Sequence, residues 1–141
     1  MKELLKGVLT MSLICLLFIV KGQSTGKIST MDFVQILNEN REETIYYYEN
    51  NWKQLRENAI REGYIDSYQL LEVQREEELA FDLILVTTYL NQDQYDKREP
   101  NFGKLIEAAG GLKLLNEKKP GDFRKNVFFR EDIVHLFEGG M

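Results

Sequence analysis

The sequence predicts an α+β domain in which four antiparallel strands form one sheet and two helices cover one of its faces. Three observations support this. Strand-like and helix-like patterns occur in the order strand, helix, strand, strand, helix, strand. The first helix pattern is long and carries a single apolar stripe. The third strand pattern is apolar on both of its faces. The chain has 141 residues, 43% of them hydrophobic, so one domain with a packed core is expected.

The first 22 residues have the pattern of a secretory signal peptide. Lys2 and Lys6 precede an apolar run over residues 8–20, which is shorter than the about 20 residues of a membrane-spanning helix. Cleavage before Gln23 is expected, and an uncleaved anchor is the alternative. We therefore predict an exported protein, periplasmic or secreted, without a stable membrane span after cleavage. Residues 23–30 are predicted to form a flexible leader, and residues 31–138 the folded domain.

The first strand and the first helix follow this leader. Residues 31–37 alternate loosely between apolar and polar side chains, which predicts a strand. Asn40, with Glu43 three positions later, has the pattern of a capping box, so a helix is expected to begin there and to run to about Glu62. Gly63 suits the left-handed residue that ends many helices. The apolar stripe of this helix has spacings of three and four: Ile45, Tyr48, Trp52, Leu55 and Ala59.

Two strands are predicted next, over residues 64–74 and residues 81–90. The second of them alternates in such a way that both faces have apolar centres. One face carries Phe81, Leu83, Leu85, Thr87 and Tyr89. The other face carries Asp82, Ile84, Val86, Thr88 and Leu90.

The second half of the chain predicts a helix and a last strand. Residues 101–109 have helical spacing and end at two glycines, and residues 112–116 are compatible with one more helical turn. Residues 91–100 are polar and are predicted to be a loop, and residues 118–121 are predicted to break the helix. The alternation over residues 123–137 predicts strand four, with a helix over residues 130–138 as the alternative.

This order of elements is the βαββαβ arrangement of the ferredoxin-like fold. Because both helices lie on one face, the other face of the sheet is left uncovered. An apolar sheet face in water is a large exposed patch, and such patches usually meet a partner. The simplest partner is the same face of a second copy, so a homodimer is predicted.

Composition excludes several classes of site. The net charge of −5 argues against a nucleic-acid-binding surface. With one histidine and one cysteine, no metal site built from several such ligands is expected. Cys15 lies in the signal peptide, so the mature domain has no disulfide. Sequence motifs for nucleotide binding and for hydrolases are absent, and no cofactor is predicted.

Several segments resemble the dimeric α/β-barrel superfamily of ferredoxin-like proteins, and most closely its uncharacterised exported members. They are WKQLRENAIREGYIDSYQLLEV, AFDLILVTTYL and FRKNVFFREDIVHLFE. The resemblance covers roughly residues 31–137. It implies a homodimer and a cavity between the helices and the sheet of each subunit. The wider group includes monooxygenases, haem-degrading enzymes, stress-responsive dimers and proteins of no known reaction, so the resemblance does not fix an activity.

Two residues are candidates for catalysis. His135 is the only histidine, and it would serve as a general base or a haem ligand, or else as an ordinary histidine of an edge strand. It falls in the predicted last strand, whereas the histidine of the haem-degrading relatives lies on a helix. Asp82 lies in an apolar strand, where burial would raise the pKa of its carboxyl and suit it to accept a proton. Alternatively, it would point to solvent or pair with Arg130 or Lys125.

Three aromatic residues are candidates for a ligand pocket. Trp52 would line such a pocket with Tyr48 and Tyr68, or it would anchor the first helix in the core. The sequence therefore leads to an exported homodimer that binds a small apolar or aromatic molecule. Two alternatives remain open. One is an enzyme of the monooxygenase type, cofactor-independent or haem-using. The other is a structural or interaction protein whose pocket is filled by its own side chains.

Overall fold

A computed structural model of the chain describes residues 25–74 and 79–140. The predicted signal peptide and the first two residues of the predicted leader lie outside these ranges. The strands of the described part are β1 (Ile28–Ile36), β2 (Ser67–Glu72), β3 (Leu83–Tyr89) and β4 (Arg124–Val134). The helical segments of the same ranges are α1 (Arg41–Tyr47), a π-helical segment (Tyr48–Trp52), α2 (Lys53–Arg61), α3 (Gln92–Asp96), α4 (Arg98–Ala109) and α5 (Pro120–Phe123).

The strands form one antiparallel sheet in the order β2-β3-β1-β4. Each of the two βαβ-type halves thus contributes one central and one edge strand, which is the ferredoxin-like topology. The predicted fold class, α+β and ferredoxin-like, is confirmed. The predicted last strand is also a strand rather than the alternative helix.

The helices pack on the face of β3 that carries Leu83 and Leu85. These leucines form one core cluster with Val34, Tyr48 and Trp52. A second cluster near the other end of the sheet joins Ile28, Ala59, Ile65, Tyr89 and Tyr95. The apolar stripe predicted for the first helix therefore supplies the core on this face, where burial of large side chains is the main stabilising term.

The opposite face of the sheet has no described element over it, and we call it the open face. Phe33 and Phe128 stack there, with ring centroids 4.1 Å apart, and Phe81 meets both rings edge-on. Ile84 and Val86 of β3 lie beside them, paired across the sheet with Phe33 and Met31. The open face is thus apolar through its centre, as the alternation of β3 predicts.

The first strand begins at Ile28, three residues inside the predicted leader. Ser29 of this strand is buried because its hydroxyl pairs with a hydroxyl of β3: Ser29 Oγ lies 2.7 Å from Thr88 Oγ1. The carbonyl of Lys27 accepts a hydrogen bond from the backbone N–H of His135, 3.1 Å away. The polar side chains of these residues led to the prediction of a flexible leader. They lie in the sheet because their polar groups form hydrogen bonds there.

Three local predictions are wrong. Residues 112–116 form an irregular loop rather than a helical turn, and α3 lies within the segment predicted to be a loop. The side chain of Asn91 starts α3, since its Oδ1 accepts a hydrogen bond from the backbone N–H of Gln94 at 2.9 Å. The predicted capping box at Asn40 is also absent, because the Asn40 side chain makes no bond to the helix N–H groups.

Glu43 and Lys118 instead join α1 to the segment before α5. Lys118 Nζ lies 2.6 Å from Glu43 Oε1 and 2.6 Å from Asn40 Oδ1. Asn116 Nδ2 also donates to Glu43 Oε1, at 3.2 Å. The lysine is the main reason why the pKa of the Glu43 carboxyl falls from 4.5 to about 2.

This ion pair predicts an acid-dependent contribution to stability. A carboxyl whose pKa is lower in the folded state stabilises the fold above its unfolded pKa, and that stabilisation disappears as the pH falls. We expect Glu43→Gln to lower the free energy of unfolding by a constant amount above pH 4.5, and the difference to shrink between pH 4.5 and about 2. Denaturant titrations across this range measure it. Glu42→Gln, at the exposed neighbouring position, is the control. A difference that stays constant to pH 2 would contradict the assignment.

Candidate functional site

A cavity of about 420 Å³ lies between the long helical region and the sheet. Its floor includes Leu85 of β3, Asp32 of β1 and Arg124 of β4. Its wall is made by the π-helical segment and α2. Its mouth is formed by α4 and the loop that follows it, with Ile106, Ala109 and Leu112. Cavities of about 300–1,000 Å³ are the usual size of small-molecule sites.

The π-helical segment supplies the aromatic wall. Tyr48 and Trp52 both line the cavity and both are buried. The backbone N–H of Lys53 bonds to the carbonyl of Tyr48, five residues earlier, so the turn is one residue wider than in an α-helix. The wider turn directs Tyr48 and Trp52, which are four residues apart in sequence, toward the same part of the sheet. Single π turns of this kind are frequent at functional sites.

Two asparagines stabilise the widened turn. Asn50 Nδ2 donates to the carbonyl of Tyr46 and Asn51 Nδ2 to that of Tyr47, both at 2.9 Å. In a regular α-helix those carbonyls accept backbone N–H groups from four residues ahead. The two side-chain amides thus donate to carbonyls at the beginning of the widened turn.

Asn51 also holds the loop at the mouth of the cavity. Its Nδ2 donates to the carbonyl of Lys113 at 2.8 Å, and its Oδ1 accepts from the backbone N–H of Lys113 at 2.7 Å. One side chain therefore pairs with both backbone groups of a single loop residue. Leu112, which lines the mouth, directly precedes this anchor point.

Two arginines and one carboxylate bring charge into the cavity. Burial lowers the pKa of the Arg56 guanidinium to about 10, so this side chain stays cationic at neutral pH. Burial raises the pKa of the Asp32 carboxyl, and the charges of Arg56 and Arg124 oppose that rise. Burial also raises the pKa of the Tyr48 phenol, which stays neutral. Sequence reasoning missed all three charged residues, since charged side chains are usually interpreted as solvent-facing.

Tyr68 does not line the cavity, although Tyr48 and Trp52 do. It lies on β2 with its ring edge-on to Trp52, the centroids 5.5 Å apart. Its hydroxyl donates to Glu57 Oε1 at 3.3 Å. Tyr68 therefore supports Trp52 from behind, which combines the two interpretations of the tryptophan: it is buried in the core, and it also forms a cavity wall.

His135 lies away from the cavity, just after β4. Its Nε2 is 2.7 Å from Ser29 Oγ, and its Nδ1 is 3.3 Å from Glu138 Oε1. A serine, a histidine and a carboxylate in this order resemble a nucleophile with its base and orienting acid. However, Ser29 is only 1% exposed and its hydroxyl is shared with Thr88. A substrate cannot reach that hydroxyl in this arrangement, so the network closes the end of the sheet.

Asp82 lies away from the cavity too, at the start of β3. Its Oδ2 accepts a hydrogen bond from the backbone N–H of Ile36 at 2.8 Å. Its backbone joins both neighbouring segments: its N–H donates to Val34 and its carbonyl accepts from Val73, each at 2.8 Å. The carboxylate therefore extends the pairing of β1 and β3 past the last ladder residue.

Within residues 25–74 and 79–140, no group of three or more histidine, cysteine, aspartate or glutamate side chains is arranged to hold a metal ion. In the same part of the chain, no helix has the length and apolar character needed to cross a membrane.

Comparisons with known proteins leave the activity open. No protein-family model matches the chain, and no curated protein matches it. Among solved structures, it is similar to a dimeric protein of unknown function and ferredoxin-like fold from Bacteroides fragilis. Their sequences are 12% identical, the match covers 77% of this chain and 98% of the other, and the TM-score is 0.42.

A second similar structure is a conserved protein of unknown function from Bacteroides thetaiotaomicron, described as a possible oxidoreductase. It is 18% identical, with 65% of this chain and 96% of the other covered and a TM-score of 0.39. The topology and the cavity together define the class of this protein: a ferredoxin-like α+β domain with an internal cavity between helices and sheet.

Proposed function

We propose that this domain binds a small molecule with an apolar or aromatic body in the cavity between the helices and the sheet. The observation that carries the proposal is the cavity itself, about 420 Å³ with Tyr48, Trp52 and Leu85 on its inner surfaces. Apolar side chains also lie at its mouth, including Ile106, which is 59% exposed and which a bound ligand would shield from water. A site with apolar walls and few polar groups is the common form of a small-molecule pocket.

The single tryptophan makes the proposal directly testable, because Trp52 lines the cavity. We expect its fluorescence to change when hydrocinnamic acid, octanoic acid or their amides are added, and calorimetry to show saturable binding of at least one of these probes. Absence of a response and of heat with all four probes would contradict the proposal.

A cavity-blocking pair of variants supplies the control. Ala109 lines the mouth, and Ala108, its exposed neighbour on α4, does not. Ala109→Phe is expected to weaken probe binding by about tenfold or more, since the added ring occupies the mouth, and Ala108→Phe is expected to leave it unchanged. Equal binding by the two variants would place the probes somewhere else.

We also propose that the open face pairs with the open face of a second copy. The described open-face positions of the two central strands carry no charged side chain: Ser29, Met31, Phe33, Gln35, Ile84, Val86 and Thr88. Bringing two such faces together buries the uncharged apolar surface of the central strands, which favours self-association. On the edge strand β4, the guanidinium of Arg130 lies 5.0 Å from the Phe128 ring centroid and would border this contact. The stacked Phe33 and Phe128 would lie at the centre of that contact.

Light scattering on the purified domain tests this pairing. We expect a dimer at micromolar concentration and a monomer for Met31→Glu, because the new carboxylate would be buried in the contact. Ile60→Glu, a partly exposed position on α2 on the helix side of the sheet, should remain dimeric. A monomeric unaltered domain, or a Met31→Glu dimer of unchanged affinity, would overturn the proposal.

A further inference from the structure

The cavity holds a guanidinium group that meets rings and a hydroxyl but no anion. Arg56 Nε donates to Thr87 Oγ1 at 3.3 Å. The guanidinium carbon lies 4.7 Å from the ring centroid of Trp52 and 4.5 Å from that of Phe102. These contacts hold the plane of the group and leave most of its N–H donors free for another acceptor. Among the described residues, no carboxylate lies within 4 Å of it.

A second guanidinium in the same cavity has a donor without a partner. Arg124, the first residue of β4, lies 5.1 Å from the Tyr47 ring centroid, and its Nη2 is 3.5 Å from the Tyr47 hydroxyl. Its Nε is buried and makes no hydrogen bond. Buried donors are nearly always satisfied in folded proteins, so this Nε is an exception. Because the buried Nε offers no surface to the cavity, a ligand would meet the terminal N–H groups of this guanidinium.

Asp32 is the carboxylate that faces this cavity, and it does not neutralise either arginine directly. Its Oδ1 accepts from Asn126 Nδ2 at 3.4 Å, and in the described ranges it forms no ion pair within 4 Å. Two guanidinium groups against one carboxylate leave one positive charge. A ligand with a single carboxylate brings the cavity to neutrality, whereas a phosphate dianion would overshoot it.

We infer that the ligand of this cavity is a small monocarboxylic acid, with its apolar or aromatic body against Trp52 and Tyr48 and its carboxylate accepting hydrogen bonds from Arg124 and Arg56. The inference rests on the proposed function and names the chemical class of its ligand. A guanidinium group matches the two oxygens of a carboxylate in geometry, and charge-assisted bonds of this kind are about twice as strong as neutral ones.

The test compares each acid with its amide of the same shape: hydrocinnamate with hydrocinnamamide, and octanoate with octanamide. Trp52 fluorescence and calorimetry report the affinities. We expect the acid of each pair to bind about tenfold tighter or more, since a hydrogen bond to a charged group discriminates by that order. Equal affinity of acid and amide would overturn the inference and leave the proposed function standing. Absence of binding by either member of both pairs would overturn both.

Variants assign the effect to the arginines. Arg124→Gln and Arg56→Gln are each expected to remove the advantage of the acid while amide binding is retained, which also shows that the variant is folded. Arg61→Gln changes an exposed arginine of the same α2 helix and should leave both affinities unchanged. An acid preference that survives in both cavity variants would contradict the assignment, and the comparison in the unaltered protein decides the inference even if one variant fails to fold.

Discussion

Replacing Phe123 by alanine is expected to lower the free energy of unfolding by about 3–5 kcal/mol, the range for truncating a fully buried phenylalanine. The side chain of Phe123 is completely buried at the end of α5, and its ring lies 5.5 Å from that of Tyr47. Its carbonyl oxygen accepts hydrogen bonds from Leu37 N at 2.8 Å and Thr44 Oγ1 at 3.0 Å. The alanine variant keeps these backbone bonds, so the expected loss reports packing and the void left behind.

Chemical denaturation of the variant measures this loss. Phe137→Ala is the matched control, because Phe137 is 86% exposed and surface substitutions usually change stability by less than about 0.5 kcal/mol. If Phe123→Ala cost less than about 1 kcal/mol, the surrounding side chains would have closed the void, and the tight packing of α5 against α1 would be refuted.

Trp52→Ala is expected to cost a similar amount, about 3–5 kcal/mol. Trp52 is 8% exposed, meets Tyr68 edge-on, and provides a ring face to the guanidinium of Arg56. Its removal would enlarge the cavity on one side, and it would take away the aromatic face that helps a buried cation remain in place. Far-ultraviolet circular dichroism follows unfolding, since the variant has no tryptophan to report it.

Lys53→Ala is the control for Trp52→Ala, as it changes the next residue, which is exposed and forms an ion pair with Glu57 at 3.5 Å. Exposed pairs of this type contribute about 0.2–1 kcal/mol. Similar losses in the two variants would mean that Trp52 is not held in a packed environment, and its role as a cavity wall would fail with it.

Hydrophobic periodicity was sufficient to predict the fold. The order of helix and strand patterns predicted the four-stranded antiparallel sheet, and the two-sided apolar strand β3 lies between β1 and β2. Gly63 has a φ of 71°, in the left-handed region expected of a residue that ends a helix. The alternation of β3 and the glycine that ends the helix are both local sequence patterns. They can therefore be recognised without knowing which distant segments are in contact.

The features that periodicity missed depend on hydrogen bonds between distant segments. The spacing of Tyr48 and Trp52 is the same in an α-helix and in a π turn, so the apolar stripe could not reveal the wider turn. The adjacent asparagines 50 and 51 were the available signal. Ser29 entered the sheet because Thr88, 59 positions away, shares its hydroxyl bond. Arg124 and Asp32 are positioned by the register of β1 and β4, which a single sequence does not specify.

The way Asn51 anchors the loop has a consequence for sequence changes at the mouth of the cavity. The amide contacts only main-chain atoms of Lys113, so the loop is held without regard to which side chains it carries. Residues around Leu112 can therefore be exchanged while the entrance keeps its width and position. Substitutions in this loop would change the side chains at the mouth while the position of the loop and the shape of the cavity stay the same.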